Sequence, residues 1–192
     1  MTLLVIGLVL FLAVHAFSMA RDAREAAVAR LGVGGYRAVY SVVSILGLGL
    51  IVWGYGVYRA GGYIPVWDPP VALRHLALLL LAPVFPLLSV GRNSLIRAKT
   101  RHPMLLAIKI WAFAHLLANG DLGSILLFGS ILAWAVVARI SVKSRETGAS
   151  AVPPAANWTT SDTIAVVAGL AFYLLVVFWL HDWLIGVPVL TR

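Results

Sequence analysis

The chain has 192 residues, 61% hydrophobic and 11% charged, with a mean hydropathy of +0.96. A soluble domain carries roughly a quarter charged residues, so there is too little polar surface here to cover a water-soluble globule, and the chain belongs in a lipid bilayer. The net charge of +8 lies in short connections between apolar runs, a positive-inside pattern that argues against nucleic acid as a partner; zero cysteines exclude disulfides, thiolate metal sites and cysteine nucleophiles.

The apolar runs are continuous over about 17 to 23 residues without period-two alternation, which predicts helices rather than strands. The expected fold is all-α: a polytopic membrane bundle of about six transmembrane helices, forming one domain over residues 1–192. Span one covers Thr2 to Met19. It lacks a basic n-region, so it is expected to be retained rather than cleaved. Arg21 to Arg37 reads as a helical extension at the interface. Span two covers Ala38 to Tyr58 and is interrupted by Gly47, Gly49, Gly54 and Gly56, small residues suited to a helix-packing face. The connection from Arg59 to Pro70 is rich in Gly, Pro and aromatic residues, and Tyr58, Tyr63 and Trp67 suit an interfacial belt.

Span three covers Val71 to Val90, where Pro83 and Pro86 are expected to kink the helix or open its hydrogen-bond ladder. The basic segment Arg92 to His102 leads into span four, Pro103 to Asn119. Pro at the first helical position and Asn119-Gly120 at the end fit the usual start and stop signals. Span five, Leu122 to Ala138, follows after only Gly120-Asp121, so spans four and five are predicted to form a tight hairpin. Arg139 to Asp162 is the one long polar linker, expected to be mobile in part. Its last residues, Ser161-Asp162, are the expected N-cap of span six, Thr163 to Ile185. No internal repeat is present.

Three connections hold Arg21, Arg24, Arg30 and Arg37, then Arg92, Arg97, Lys99 and Arg101, then Arg139, Lys143 and Arg145, or eleven of the fifteen basic residues. The alternate connections hold almost none. This places the three basic loops in the cytoplasm and both termini in the periplasm of a bacterial inner membrane.

Five histidines are the candidate chemistry. His102 and His181 read as interfacial residues bonded to backbone or headgroups. His15 and His115 lie in strongly apolar sequence, VLFLAVHAF and IWAFAHLL, where a neutral imidazole needs a donor, an acceptor or a metal. Histidines on facing helices of an apolar bundle are ordinary haem ligands. Zinc, which takes three or four His, Cys or carboxylate ligands, is the weaker metal in a chain with seven acidic residues. No Ser-His-Asp pattern, phosphate loop or HExxH occurs, and GVGG at Gly32 to Gly35 is too short for a nucleotide fingerprint.

The blocks VLFLAVHAFSMARDA, LGVGGYRAVYSVVS, WDPPVALRHLALLLL, RHPMLLAIKIWAFAHLLANG and LLFGSILAWAVVARIS resemble the NnrU family over most of the chain. That family is named for an association with nitric oxide and nitrite metabolism in denitrifying bacteria. It is similar in turn to the 15-cis-zeta-carotene isomerases, membrane enzymes that bind haem b and isomerise a double bond. The resemblance implies one axial ligand at His15, in AVHAF, and the other at His115, which stands 13 residues after His102. His75 and His102 match further histidines of that family. The isomerases carry a cysteine, implicated as a switchable ligand, where this chain has Ala112, so a ligand-switching mechanism of that kind lacks its residue here.

Counted from the span ends, His15 and His115 differ in depth by roughly 12 Å, whereas His75 and His115 lie at matched depth; His75 is the physical rival for the second ligand. Phe11, Phe17, Trp111 and Phe113 are the expected pocket lining, and Arg37, Arg74 and Lys109 the candidate propionate contacts. Lys109 also reads as a lysine snorkelling to the cytoplasmic interface. The leading expectation is therefore a haem b protein acting in cis-trans isomerisation of a membrane polyene or in nitric oxide-linked chemistry. The alternative is a non-enzymatic membrane protein assisting assembly or transport in denitrification.

Overall fold

The computed structural model describes residues 1–144 and 157–190. In chain order the helices are α1 (Thr2–Phe17), α2 (Arg21–Ala60), α3 (Val71–Leu81), α4 (Val84–Ser89), α5 (Leu95–Thr100), α6 (Pro103–Ala118), α7 (Leu122–Lys143), α8 (Thr160–Leu175) and α9 (His181–Ile185), with a π-helical turn at Val176–Leu180 joining the last two. The described residues form no strand, only an isolated bridge between Pro65 and Asp121.

Four stretches, Arg21–Ala60, Val71–Ser89, Leu122–Lys143 and Thr160–Ile185, are long and apolar enough to cross a membrane. Thr2–Phe17 and Pro103–Ala118 are apolar but have 16 residues each, about 24 Å of helix against a hydrocarbon core of about 30 Å. Large apolar side chains point outward along these helices: Val52 is 66% exposed, Leu79 72% and Trp183 79%. Water would penalise such a surface; lipid does not.

The chain divides into two compact units, Met1–Pro69 with Asn119–Lys143, and Pro70–Ala118 with Ser144–Arg192. In the first unit α1 lies against α2 through glycines of both helices. A Cβ on Gly7 would stand 2.6 Å from Ile51 N and one on Gly47 2.8 Å from Phe11 N, while one on Gly54 would run into the backbone of Leu3 and Leu4. Gly49 and Gly56 have nothing within 4 Å. Only two of the four glycines of span two therefore form the packing face, and they stand two helical turns apart on one side.

The expected interfacial extension and span two are one run from Arg21, broken at Gly32, where φ is 71° and ψ 165°. The connection before α3 is laced onto the α6–α7 turn: Val66 and Trp67 N–H donate to the Gly120 carbonyl at 2.8 and 3.0 Å, and Leu122 N–H to Ile64 O at 2.9 Å. Asp121 then caps α7 by accepting from Ser124 N–H at 2.9 Å and Ser124 Oγ at 2.5 Å.

In the second unit span three is two helices. Pro83 lacks an N–H, so the ladder opens at Ala82–Pro83, and Ala82 N–H falls back to Leu79 O at 3.4 Å. The carbonyl of Leu78 loses its usual helical donor, and Tyr173 Oη on α8 donates to it at 2.8 Å. Beyond the break α4 packs closely on α8, because Gly169 meets the backbone and ring of Pro86. Val84, Leu87 and Ala107 form the apolar centre between α4 and α6, with Leu81, Ile96, Leu106, Ile110 and Trp111 packed around it.

Two boundaries differ from those expected. The segment expected to begin the polar linker at Arg139 is still helical to Lys143. The N-cap of α8 is Thr159, not Ser161-Asp162: Thr159 and Asp162 form a reciprocal capping box, with Asp162 at the third helical position. The expected mobility of the linker concerns residues 145–156, which lie outside the described residues.

Candidate functional site

His15 stands in the last turn of α1 and is half-buried. Its Nδ1 lies 2.6 Å from the Phe11 carbonyl. A carbonyl only accepts, so Nδ1 carries the proton and donates, which leaves the Nε2 lone pair as the basic site. Aromatic rings surround the imidazole: Phe11 at 4.1 Å between centroids, Tyr40 at 5.3 Å and, edge-on, Trp134 at 5.5 Å. Tyr40 comes from α2 and Trp134 from α7, so three helices of the first unit converge on this histidine.

His115 repeats the arrangement in the second unit. Its Nδ1 donates to the Trp111 carbonyl at 2.8 Å, and the Trp111 ring lies 4.9 Å away. Trp111 in turn packs on the apolar centre of that unit. In both cases the carbonyl is the one four residues back, whose own helical bond the imidazole shares. Fixing Nδ1–H on a carbonyl is how ligating histidines are oriented and made more basic at Nε2. The donor chemistry of His15 and His115 thus fits an iron ligated through Nε2.

His181 follows the π-helical turn, and its Nδ1 donates to Val187 O at 2.8 Å. This is the backbone-bonded role expected of it, although it also lies within electrostatic reach of His115. His102 precedes α6 and its carbonyl accepts from Leu106 N–H at 3.0 Å, so its main chain starts the helix. His75 and Arg74 are exposed on α3, Lys109 is half-buried on α6, and Arg37 is exposed on α2. Of the expected pocket lining, Phe11 and Trp111 stack on the two histidines, while Phe17 and Phe113 are 41% and 46% exposed. His15 falls in the first unit and His75, His102 and His115 in the second. Among the described residues no three His, Asp or Glu side chains gather as a metal site.

Tyr40 and Trp134 beside His15 are not among the residues expected from sequence. Tyr36, Tyr40 and Ser44 repeat every four residues on one face of α2, and that spacing within an apolar run is the signal that identifies them. Tyr36 Oη and Trp134 Nε1 are buried without a hydrogen-bond partner.

A second cluster also escaped the sequence reading. The carboxylate of Asp162, fully buried, accepts from Ser94 Oγ, from Leu95 N–H at 3.1 Å and Ile96 N–H at 3.0 Å, and from Thr159 N–H at 2.9 Å and Thr159 Oγ1 at 2.6 Å. Ser94 is itself the N-cap of α5. One side chain therefore closes the start of two helices, and its oxygens are fully engaged; it is a structural latch.

The family model described as NnrU protein matches residues 3–189. No curated protein and no solved structure matches the chain.

Proposed function

The chain belongs to the NnrU family, and from that premise we propose that it is an integral membrane protein holding haem b through Nε2 of His15 and His115. The observation that carries this reading is the shared setting of the two imidazoles: each is half-buried in apolar helix, each donates Nδ1–H to the carbonyl four residues back, and each has an aromatic ring stacked beside it. A histidine so held presents a lone pair in a fixed direction, which is the property an axial ligand needs. Haem held by these residues would supply an iron able to change redox state. Cis-trans isomerisation of a membrane polyene and nitric oxide-linked chemistry both draw on that capacity.

The residues do the rest. The Phe11, Tyr40, Trp134 and Trp111 rings exclude water and fix the imidazole planes, and Arg37, Arg74 and Lys109 remain the cations offered to propionates. The topology that goes with this reading has six spans, the three basic loops in the cytoplasm and both termini in the periplasm of a bacterial inner membrane.

The test is the absorption spectrum of protein purified from haem-replete cells. A Soret band is expected, and His15→Ala or His115→Ala is expected to abolish it. A colourless preparation overturns the reading. His181→Ala is expected to leave the band intact; its loss would transfer the second ligand to His181, which shares the second unit with His115. His75→Ala tests the remaining rival in the same way. Adding nitric oxide or a cis-carotene to the pigmented protein then separates the two chemistries, by a Soret shift in one case and a changed isomer ratio in the other.

A further inference from the structure

The break in α2 creates a feature that haem ligation does not use. At Gly32 the backbone adopts φ 71°, a conformation costly for any residue with a Cβ, while a Cβ placed there would meet nothing within 4 Å. The glycine therefore serves the turn and not a close contact. The turn brings the first part of α2 back over the second: the Arg24 guanidinium carbon stands 5.8 Å from the centroid of the Tyr36 ring. Under this overhang lies a cavity of about 290 Å3 lined by Ser18, Arg24, Tyr36, Arg37, Tyr40 and Ser41.

The lining contains two guanidinium groups and four hydroxyls, and no carboxylate. Arg24 is set over an aromatic face rather than against an acid. Tyr36 contributes a buried hydroxyl without a partner, a costly state for a donor unless a ligand or water completes it. Both guanidinium groups are solvent-exposed, and an anionic oxygen group is the ligand that engages the two charges and the phenol together. Ser18 directly follows the apolar helix α1, and Val39 and Val42 on α2 are exposed by 52% and 55%. An acid group held here thus has apolar surface beside it for the remainder of its molecule.

We infer that this cavity binds the acid group of a membrane amphiphile, with Arg24 and Arg37 supplying charge and Tyr36 a hydrogen-bond donor. A carboxylate and a phosphate share this chemistry. The carboxylate source, a porphyrin propionate, rests on the haem reading, because Tyr40 links the cavity to His15 at 5.3 Å; the phosphate source, an anionic phospholipid headgroup, does not.

The experiment uses the full chain in detergent as wild type, Tyr36→Phe, and the pair Arg24→Gln with Arg37→Gln, each checked for unchanged thermal unfolding. One arm titrates hemin and its dimethyl ester; the other follows retention of phosphatidylglycerol against phosphatidylcholine by native mass spectrometry. Wild type is expected to prefer the acid form in at least one arm by about tenfold, the paired variant to lose that preference, and Tyr36→Phe to reduce it by a smaller factor. Preference for hemin over its ester assigns the propionate, and preference for phosphatidylglycerol alone assigns the headgroup. Equal binding of acid and neutral forms in both arms overturns the inference, as does a paired variant that keeps the wild-type preference. If hemin and its ester bind equally, both lose binding in His15→Ala, and phosphatidylglycerol is not preferred over phosphatidylcholine, the haem reading survives and the cavity assignment falls. If neither porphyrin binds while phosphatidylglycerol selectivity is lost in the paired variant, the outcome is reversed.

Discussion

Both units pair buried polar groups where helices start, as Asp121 does with Ser124 in the first, but they differ deeper along the helices. In the second, Asp162 takes hydrogen bonds from Ser94, Leu95, Ile96 and Thr159, and Tyr173 bonds the Leu78 carbonyl beside the Pro83 break. In the first, Trp134 beside His15 and Tyr36 beside Tyr40 each bury a polar atom that is left unpaired. A donor that already has its acceptor holds the fold; a donor kept dry and idle is available to a ligand. The Asp162 cluster is therefore read as a brace, and the surroundings of Tyr36 and Trp134 as the part of the first unit open to a ligand.

Asp162→Ala gives the largest expected effect, because five donors lose their acceptor and two helix starts lose their cap together. The protein is expected not to accumulate, or to unfold more than about 10 °C lower in a detergent thermal melt. A melt near that of wild type would break the comparison outright. Next is Gly54→Ala in the first unit, where the new Cβ meets the α1 backbone at Leu3 and Leu4; a loss of about 1–3 kcal/mol is expected. Gly49→Ala, two helical positions from the contact stripe and facing open space, is its control and should stay within about 0.5 kcal/mol of wild type. Equal losses at the two sites would mean that α1 does not rest on this stripe.

Smaller still is Tyr173→Phe, which removes the donor to Leu78 O and is expected to cost about 1 kcal/mol by chemical unfolding in detergent. Trp134→Phe gives the smallest effect and the sharpest contrast. Its Nε1 has no bond to lose, so the ligand-free protein should lose only the packing of the smaller ring, less than about 1 kcal/mol. A loss at Trp134 as large as that at Tyr173 would show that the two units treat their polar groups alike.

Much of the architecture is legible in the residue order. The apolar runs place every long helix, Pro83 announces the break in span three, and Pro103 and Asn119-Gly120 bracket α6 to within a residue. The Nδ1 bonds of His15 and His115 are also a local matter, since any helical histidine has a carbonyl four residues behind it. Other features were hidden. Gly32 breaks α2 while Gly34 and Gly35, equally permissive, do not, because composition does not say which glycine takes the turn. The reading of Ser161-Asp162 as the cap missed Thr159 by two residues, for both ends of a capping box carry the same kinds of side chain. The partnership of Asp162 with Ser94 spans 68 positions and leaves no trace in either neighbourhood.

Residue order alone determined that this is a helical membrane protein, since a backbone in hydrocarbon must bond within its own segment and each apolar run answers to that demand locally. Tertiary structure decided which glycines touch, which carbonyls are rescued, and which histidine is ringed by tyrosine and tryptophan. Those outcomes depend on how closely and at what rotation two helices meet, to within an ångström, and helices of the same composition meet in more than one way.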